Sequence, residues 1–325
     1  MTIRVSLACV VVACLFSVAN AGVVLQADFN GTGTGTGGAS DLVTLGGTGE
    51  LLTKGSATAN VLTSSSMGGG AYLELSSPSG TGTVTWPAEV RITPTSSSTS
   101  LASMFSKPSG LPSLNGGFDF LFRSGVEFSK DNAAVAESWF RAFDADYRDA
   151  GDTNVNTNGL RLNLMNSVAG KIGVNVFTNN YYITEFNGVS QTTCSQVYAN
   201  SGYITMAANE VWHLGVMFST DASGLITMKL FGVAGTGAID TTSATNLLGS
   251  CTFKLDATKI TNGFTPGAFD FGLYSDKRSP KTQDFDCLRI YDATPTQFAA
   301  VPEPATLGLL GLGGLVLGIR RNRSQ

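Results

Sequence analysis

Histidine is nearly missing: His213 is the single one in 325 residues. That count excludes a histidine metal cluster, and any Ser-His-Asp nucleophile would have to use His213. No Gly-x-Ser-x-Gly turn accompanies it. Glutamate is scarce as well. Between the two ends only Glu50, Glu74, Glu89, Glu127, Glu137, Glu185 and Glu210 occur, and none stands in a Glu-x-Asp-x-x-Glu spacing. On one strand that spacing would put carboxylates on a shared face, as polysaccharide hydrolysis needs. No Cys-x-x-Cys occurs, which leaves zinc and redox chemistry without support. Lysine and arginine form no cluster in the middle of the chain, so there is no footprint for nucleic acid. No window keeps a 3.6-residue apolar period with caps, which excludes a helical body.

Both ends carry apolar runs. Arg4 precedes an uncharged stretch from Val5 to Val18, closed by Ala19-Asn20-Ala21. This is the pattern of a secretory signal peptide, and it predicts cleavage between Ala21 and Gly22. The run is shorter than the ~20 residues of a spanning helix, which argues against a permanent anchor. A lipobox reading of Val11-Val12-Ala13-Cys14 would leave only a stub of apolar core before Cys14. At the other end Val301-Pro302-Glu303-Pro304 leads into Ala305–Ile319, which has no charge, and then into Arg320, Arg321 and Arg323. As a helix the uncharged stretch would be about 22 Å long at ~1.5 Å per residue, a marginal span of a ~30 Å hydrocarbon core. Arginines after it predict a cytoplasmic end and an external body.

A Pro-Glu-Pro motif, a short Gly/Leu-rich stretch and an Arg-rich end resemble the PEP-CTERM sorting domain. The resemblance implies processing by an exosortase, a membrane-embedded cysteine protease, after passage through the secretion machinery. It implies an inner-membrane intermediate held by the C-terminal helix, followed by release to the cell surface or medium. Residues 1–21 are thus expected to be a signal peptide, 22–300 the body and 301–325 the sorting tail. Removing both ends takes four of 20 basic residues and one of 24 acidic ones, leaving the body 16 against 23, or −7. It also removes Cys9 and Cys14, so the mature chain keeps Cys194, Cys251 and Cys287. Export permits a disulfide. We expect Cys194–Cys251, with three separate buried thiols as the alternative.

The body reads as many short strands. Apolar alternation marks Val23–Phe29, Ala71–Leu75, Gly117–Arg123, Trp139–Phe143, Leu160–Met165, Ile172–Thr178, Trp212–Ser219, Leu225–Val233, Phe269–Tyr274 and Phe285–Tyr291. In Phe118-Asp119-Phe120-Leu121-Phe122-Arg123 the three Phe side chains share a face. Gly, Ser, Asn and Asp cluster between these segments, as turns require. Gly31–Gly49 is Gly/Thr-rich and is expected to be a loop. These signs predict one all-β domain, a two-sheet sandwich or jelly roll. The stretch from Glu210 through Trp212-His213, Asp221 and Gly224 to Gly232 resembles the central hairpin of laminin-G-like, concanavalin-type domains. Phe285-Asp286-Cys287-Leu288-Arg289-Ile290-Tyr291-Asp292 is similar to their closing strand, and Val24–Phe29 suits their opening strand. That resemblance implies a jelly roll of two antiparallel sheets.

Candidate binding residues are few. Asp144, Asp146, Asp149 and Asp152 form the densest acidic run and are the one calcium candidate; their spacing is not an EF-hand, and a solvated turn suits it too. No other cofactor is expected. Tyr181 and Tyr182, with Asn179, Asn180 and Asn187, are the carbohydrate candidates, although tyrosines on strands also serve as core or edge residues. His213, beside Trp212, is expected to be packed and hydrogen-bonded. Two function classes follow. One is a non-catalytic surface or matrix protein that binds polysaccharide or a surface protein through jelly-roll loops. The other is a glycoside hydrolase or lyase on the same fold, which the missing carboxylate spacing disfavours.

Overall fold

The computed structural model describes residues 21–29, 37–39, 45, 47–53, 58–64, 67, 70–77, 88–94, 111, 113–131, 137–142, 159–164, 170–177, 183–190, 197–198, 202–255, 269–274 and 281–301. Among these residues there are twenty strands and no α-helix. The first seven are β1 (Val23–Ala27), β2 (Gly37–Ala39), β3 (Gly47–Thr53), β4 (Thr58–Ser64), β5 (Gly70–Ser77), β6 (Ala88–Pro94) and β7 (Gly116–Ser124). Then come β8 (Glu137–Ala142), β9 (Gly159–Leu164), β10 (Gly173–Phe177), β11 (Ile183–Phe186), β12 (Val189–Ser190) and β13 (Val197–Tyr198). The last seven are β14 (Val211–Thr220), β15 (Leu225–Ala234), β16 (Ile239–Asp240), β17 (Leu247–Leu255), β18 (Phe269–Tyr274), β19 (Lys281–Tyr291) and β20 (Gln297–Phe298).

One sheet runs β12-β11-β17-β15-β14-β7-β19-β5-β4, with β1 also paired to β19. A second runs β13-β10-β9-β8-β18-β6-β3-β2, and β16 pairs β20 in a small third. The pairings are antiparallel. The core lies between the two large sheets: Phe118, Phe120 and Phe122 of β7 meet Leu51, Val90 and Ile92 of the second sheet in one buried cluster. Leu214, Val216 and Phe218 of β14 and Phe285, Leu288 and Ile290 of β19 point into the same cluster. All-β, antiparallel and two-layered is the architecture expected.

The expected hairpin is β14–β15, paired from Trp212↔Ala234 to Thr220↔Ile226. Its turn closes on Asp221, whose Oδ1 accepts from the amides of Ser223 (2.8 Å) and Leu225 (3.0 Å), with Gly224 at φ 78°. The opening strand β1 pairs the closing strand β19. One expectation is corrected: Gly31–Gly49, read as a loop, contributes β2 and the start of β3. Backbone groups suffice for that ladder, so a stretch with few apolar side chains can still pair.

β19 breaks its alternation. Asp286 faces Leu121 of β7 and Arg289 faces Asp119, so Cys287 and Leu288 together oppose one residue. Cys287 takes φ 51°. The extra residue is a β-bulge. It keeps Phe285, Leu288 and Ile290 in the core while sending Asp284, Asp286, Arg289 and Tyr291 to the outer face of the sheet.

Candidate functional site

That outer face is crossed by the last described segment, residues 292–301, which forms a strap from β19 to the start of the tail. Phe298 lies on Gly215 of β14, where a Cβ would overlap its ring. It is fully buried with Phe231, Ile239 and Tyr291, its ring 5.5 Å from that of Tyr291 at 65°. Thr294 Oγ1 donates to Phe218 O (3.1 Å), and Thr241 Oγ1 to Thr296 O (2.6 Å). Val301 N donates to Thr236 O (2.9 Å). The Val301 side chain is buried with Met67, Tyr72 and Leu121. Val301, where the tail was expected to open, is thus packed against the body, and Pro302 follows it directly in sequence.

Under the strap sits a charged network. Asp119 comes from the outward positions of β7, His213 from β14 and Arg289 from the bulged β19. Arg289 Nε donates to Asp119 Oδ1 (3.0 Å) and its Nη2 to Oδ2, a bidentate pair. The same Nη2 donates to Ala299 O (2.6 Å), tying the strap down. His213 Nε2 lies 2.8 Å from Asp119 Oδ2, and its Nδ1 lies 2.6 Å from Gly237 O. Asp119 and His213 are 0% exposed. His213 is packed and hydrogen-bonded, as the sequence led us to expect.

Further along β19 are two more buried acids. Arg123 Nε donates to Asp284 Oδ2 (2.6 Å), and the guanidinium lies 5.2 Å from the Tyr72 ring centroid. Burial still outweighs Arg123 and holds the Asp284 carboxyl up at about 6. Asp286 Oδ1 accepts from Cys287 N (2.7 Å), whereas Asp286 Oδ2 and Asp28 Oδ1 are buried without a partner. Burial first, against the Cys287 hydrogen bond, and then the nearby Asp28 charge push Asp286 up to about 8. The folded state therefore keeps a proton that an unfolded aspartate releases near pH 4. Stability from this group is fully present below about pH 4 and is lost as pH rises through about 8. Asp286→Asn should match the wild type near pH 4 and be the more stable of the two at pH 9. Urea denaturation at both pH values checks this; a constant difference would mean the carboxyl is not the titrating group.

Several expected site residues lie outside the described residues: Asp144, Asp146, Asp149, Asp152, Tyr181, Tyr182, Cys194, the tail from Pro302 with its apolar stretch, and Arg320, Arg321 and Arg323. Among the described residues no group of three or more His, Cys, Asp or Glu is placed to hold a metal, and no helix is long and apolar enough to cross a membrane. The expected Cys194–Cys251 bridge is corrected. Cys251 is a free thiol, turned into the core from β17 with Phe253 and Leu255, and burial pushes it up to about 12. Asp119, Arg289, Asp286 and Phe298 were not singled out. The signal available for the first three was a charge inside an apolar strand, as in Phe-Asp-Phe and Leu-Arg-Ile.

The model of the PEP-CTERM protein-sorting motif matches residues 300–323. The chain thus carries a PEP-CTERM sorting motif, which marks it for exosortase-dependent export, and the motif begins where the strap ends. No curated protein sequence matches the chain. Among solved structures it is similar to an endo-β-1,4-glucuronan lyase from the fungus Trichoderma reesei, at 9% identity and TM-score 0.43, over 83% of this chain and 95% of that one. It is also similar to the binding domain of botulinum neurotoxin DC in complex with rat synaptotagmin II, at 11% identity and TM-score 0.45, over 84% of this chain. The binding domain of Paraclostridial Mosquitocidal Protein 1 is similar at 9% identity and TM-score 0.43, over 85% of this chain. The chain spans about half the length of the two toxin chains, 48% and 49%. Fold likeness at this level assigns neither ligand nor reaction.

Proposed function

We propose that this is an exported, non-catalytic surface or matrix protein. Its signal peptide leaves after Ala21, and its tail is a transient membrane anchor cut near Pro302–Pro304. The body then serves at the cell surface or in the medium, binding a polysaccharide or surface-protein ligand through loops of the sandwich. The observation that carries this is the sorting motif at residues 300–323, joined without a spacer to a packed strap. Pro302 and Pro304 disfavour helix around them, since proline fixes φ and restricts the residue before it. An extended segment is what a protease can bind. Non-catalysis is supported by the scarcity of glutamate, the single buried histidine and the missing carboxylate spacing.

Mass spectrometry of the native extracellular protein should find a C-terminus close to Pro302–Pro304 and no peptide from Leu307–Ile319. Intact Arg320–Gln325 in that form would favour a permanent anchor. Sugar release from β-glucan, galactan, xylan and polyuronate should stay at background; turnover above it would move the protein to the enzyme class.

A further inference from the structure

The first residues of the body meet the strap. Gly22 N donates to Asp292 Oδ1 at 2.9 Å, and Asp292 N donates back to Gly22 O at 3.2 Å. A Cβ built on Gly22 would stand 3.5 and 3.6 Å from the two carboxylate oxygens of Asp292, so both lie close around the Gly22 Cα. The next residue, Val23, is paired with Tyr291 in the β1–β19 ladder. Asp292 is therefore held opposite position 22 by the register of the opening and closing strands. Among the described residues the Gly22 amide is the only group donating to this carboxylate.

A backbone amide is a neutral donor with one proton. Signal-peptide removal changes it: water adds to the Ala21 carbonyl carbon, the Ala21–Gly22 C–N bond breaks, and the freed amine takes a proton to become an ammonium. We propose that Asp292 is the receptor for the α-ammonium that this hydrolysis creates at Gly22. It rests on the reading that cleavage falls after Ala21. Maturation then turns a neutral hydrogen bond into a charge-assisted one, which is shorter and stronger. It pins the first residue of the mature chain to the root of the strap. An N-terminus one or more residues longer puts an amide, and one shorter puts nothing, against the carboxylate. The site thus matches one cleavage position.

The test uses the full-length chain exported from its host, as wild type and as Asp292→Asn. N-terminal sequencing comes first, and Gly22 is expected. The α-amine is then acylated near pH 7 with an amine-selective reagent, and modification of the N-terminal peptide is followed by mass spectrometry. Pairing holds the amine in its unreactive protonated form, so the wild type should react about two- to fivefold more slowly than Asp292→Asn, the range of a partly exposed ion pair. In the wild type the rate should rise when salt is raised to about 1 M, which screens an exposed pair. Equal rates in the two proteins, or a wild-type rate insensitive to salt, would overturn the pairing even with Gly22 at the N-terminus. A different N-terminal residue would overturn the cleavage reading instead. The salt series needs only the wild type and decides the matter if Asp292→Asn does not fold.

Discussion

Asp119→Ala is expected to destabilise the body by about 3–5 kcal/mol, the range found when one partner of a buried charge pair is removed. The carboxylate is fully buried and is contacted by Arg289 Nε, Arg289 Nη2 and His213 Nε2. Alanine leaves the Arg289 guanidinium without its counter-charge beneath the strap. The Arg289 hydrogen bond to Ala299 O remains, and it does not neutralise the charge. Asp119→Asn keeps the shape and one acceptor oxygen but loses the charge, so it should fall between wild type and alanine. Urea denaturation of the three proteins checks the order. A loss below about 1 kcal/mol for alanine would mean that the network adds nothing beyond an exposed ion pair.

Phe298→Ala should have an effect of similar size, about 3–5 kcal/mol, as expected for emptying a buried aromatic site. The ring closes the satellite cluster with Phe231, Ile239 and Tyr291 and presses directly on the Gly215 backbone. Its loss should also free the strap locally, and limited proteolysis should then cut between Asp292 and Val301, where the wild type resists. The pairing with Gly215 gives an internal control. Gly215→Ala alone should destabilise, because its Cβ overlaps the ring. In the double variant that Cβ enters space the ring has left, so the two effects should fall short of their sum. Additivity would show that Phe298 and Gly215 are not in contact.

The large elements were legible because alternation is set by the pleat. Phe118, Phe120 and Phe122 declared one face of β7, and the leucine, valine and phenylalanine of β14 did the same. β18 coincides with its expected range, Phe269–Tyr274. The outer face was harder to read. Asp119 and Arg123 looked like solvent-facing positions of a one-sided strand, since nothing local shows that the chain returns 170 residues later to cover them. The bulge at Cys287 left a trace, apolar residues at 285, 288 and 290 rather than at every second position. It could be interpreted only once β7 was seen opposite. β2, β3 and β4 were missed because Gly, Thr and Ser are frequent in them, and their pairing rests on backbone groups that sequence patterns do not weigh; β6 was missed although Val90 and Ile92 alternate in it. The buried acidic positions are hard to read for the same reason: a charge in a strand points outward, and the strand alone does not show what covers it.

The seating of Val301 sets a boundary. Its amide is bonded to Thr236 O, and its side chain is packed with Met67, Tyr72 and Leu121. A protease must draw several residues into its own cleft, and residues up to Val301 can be drawn in only by breaking those contacts. A cut made while the body is folded, as we propose for the tail, therefore has to fall beyond Val301, and the body keeps its last packed residue when the tail leaves.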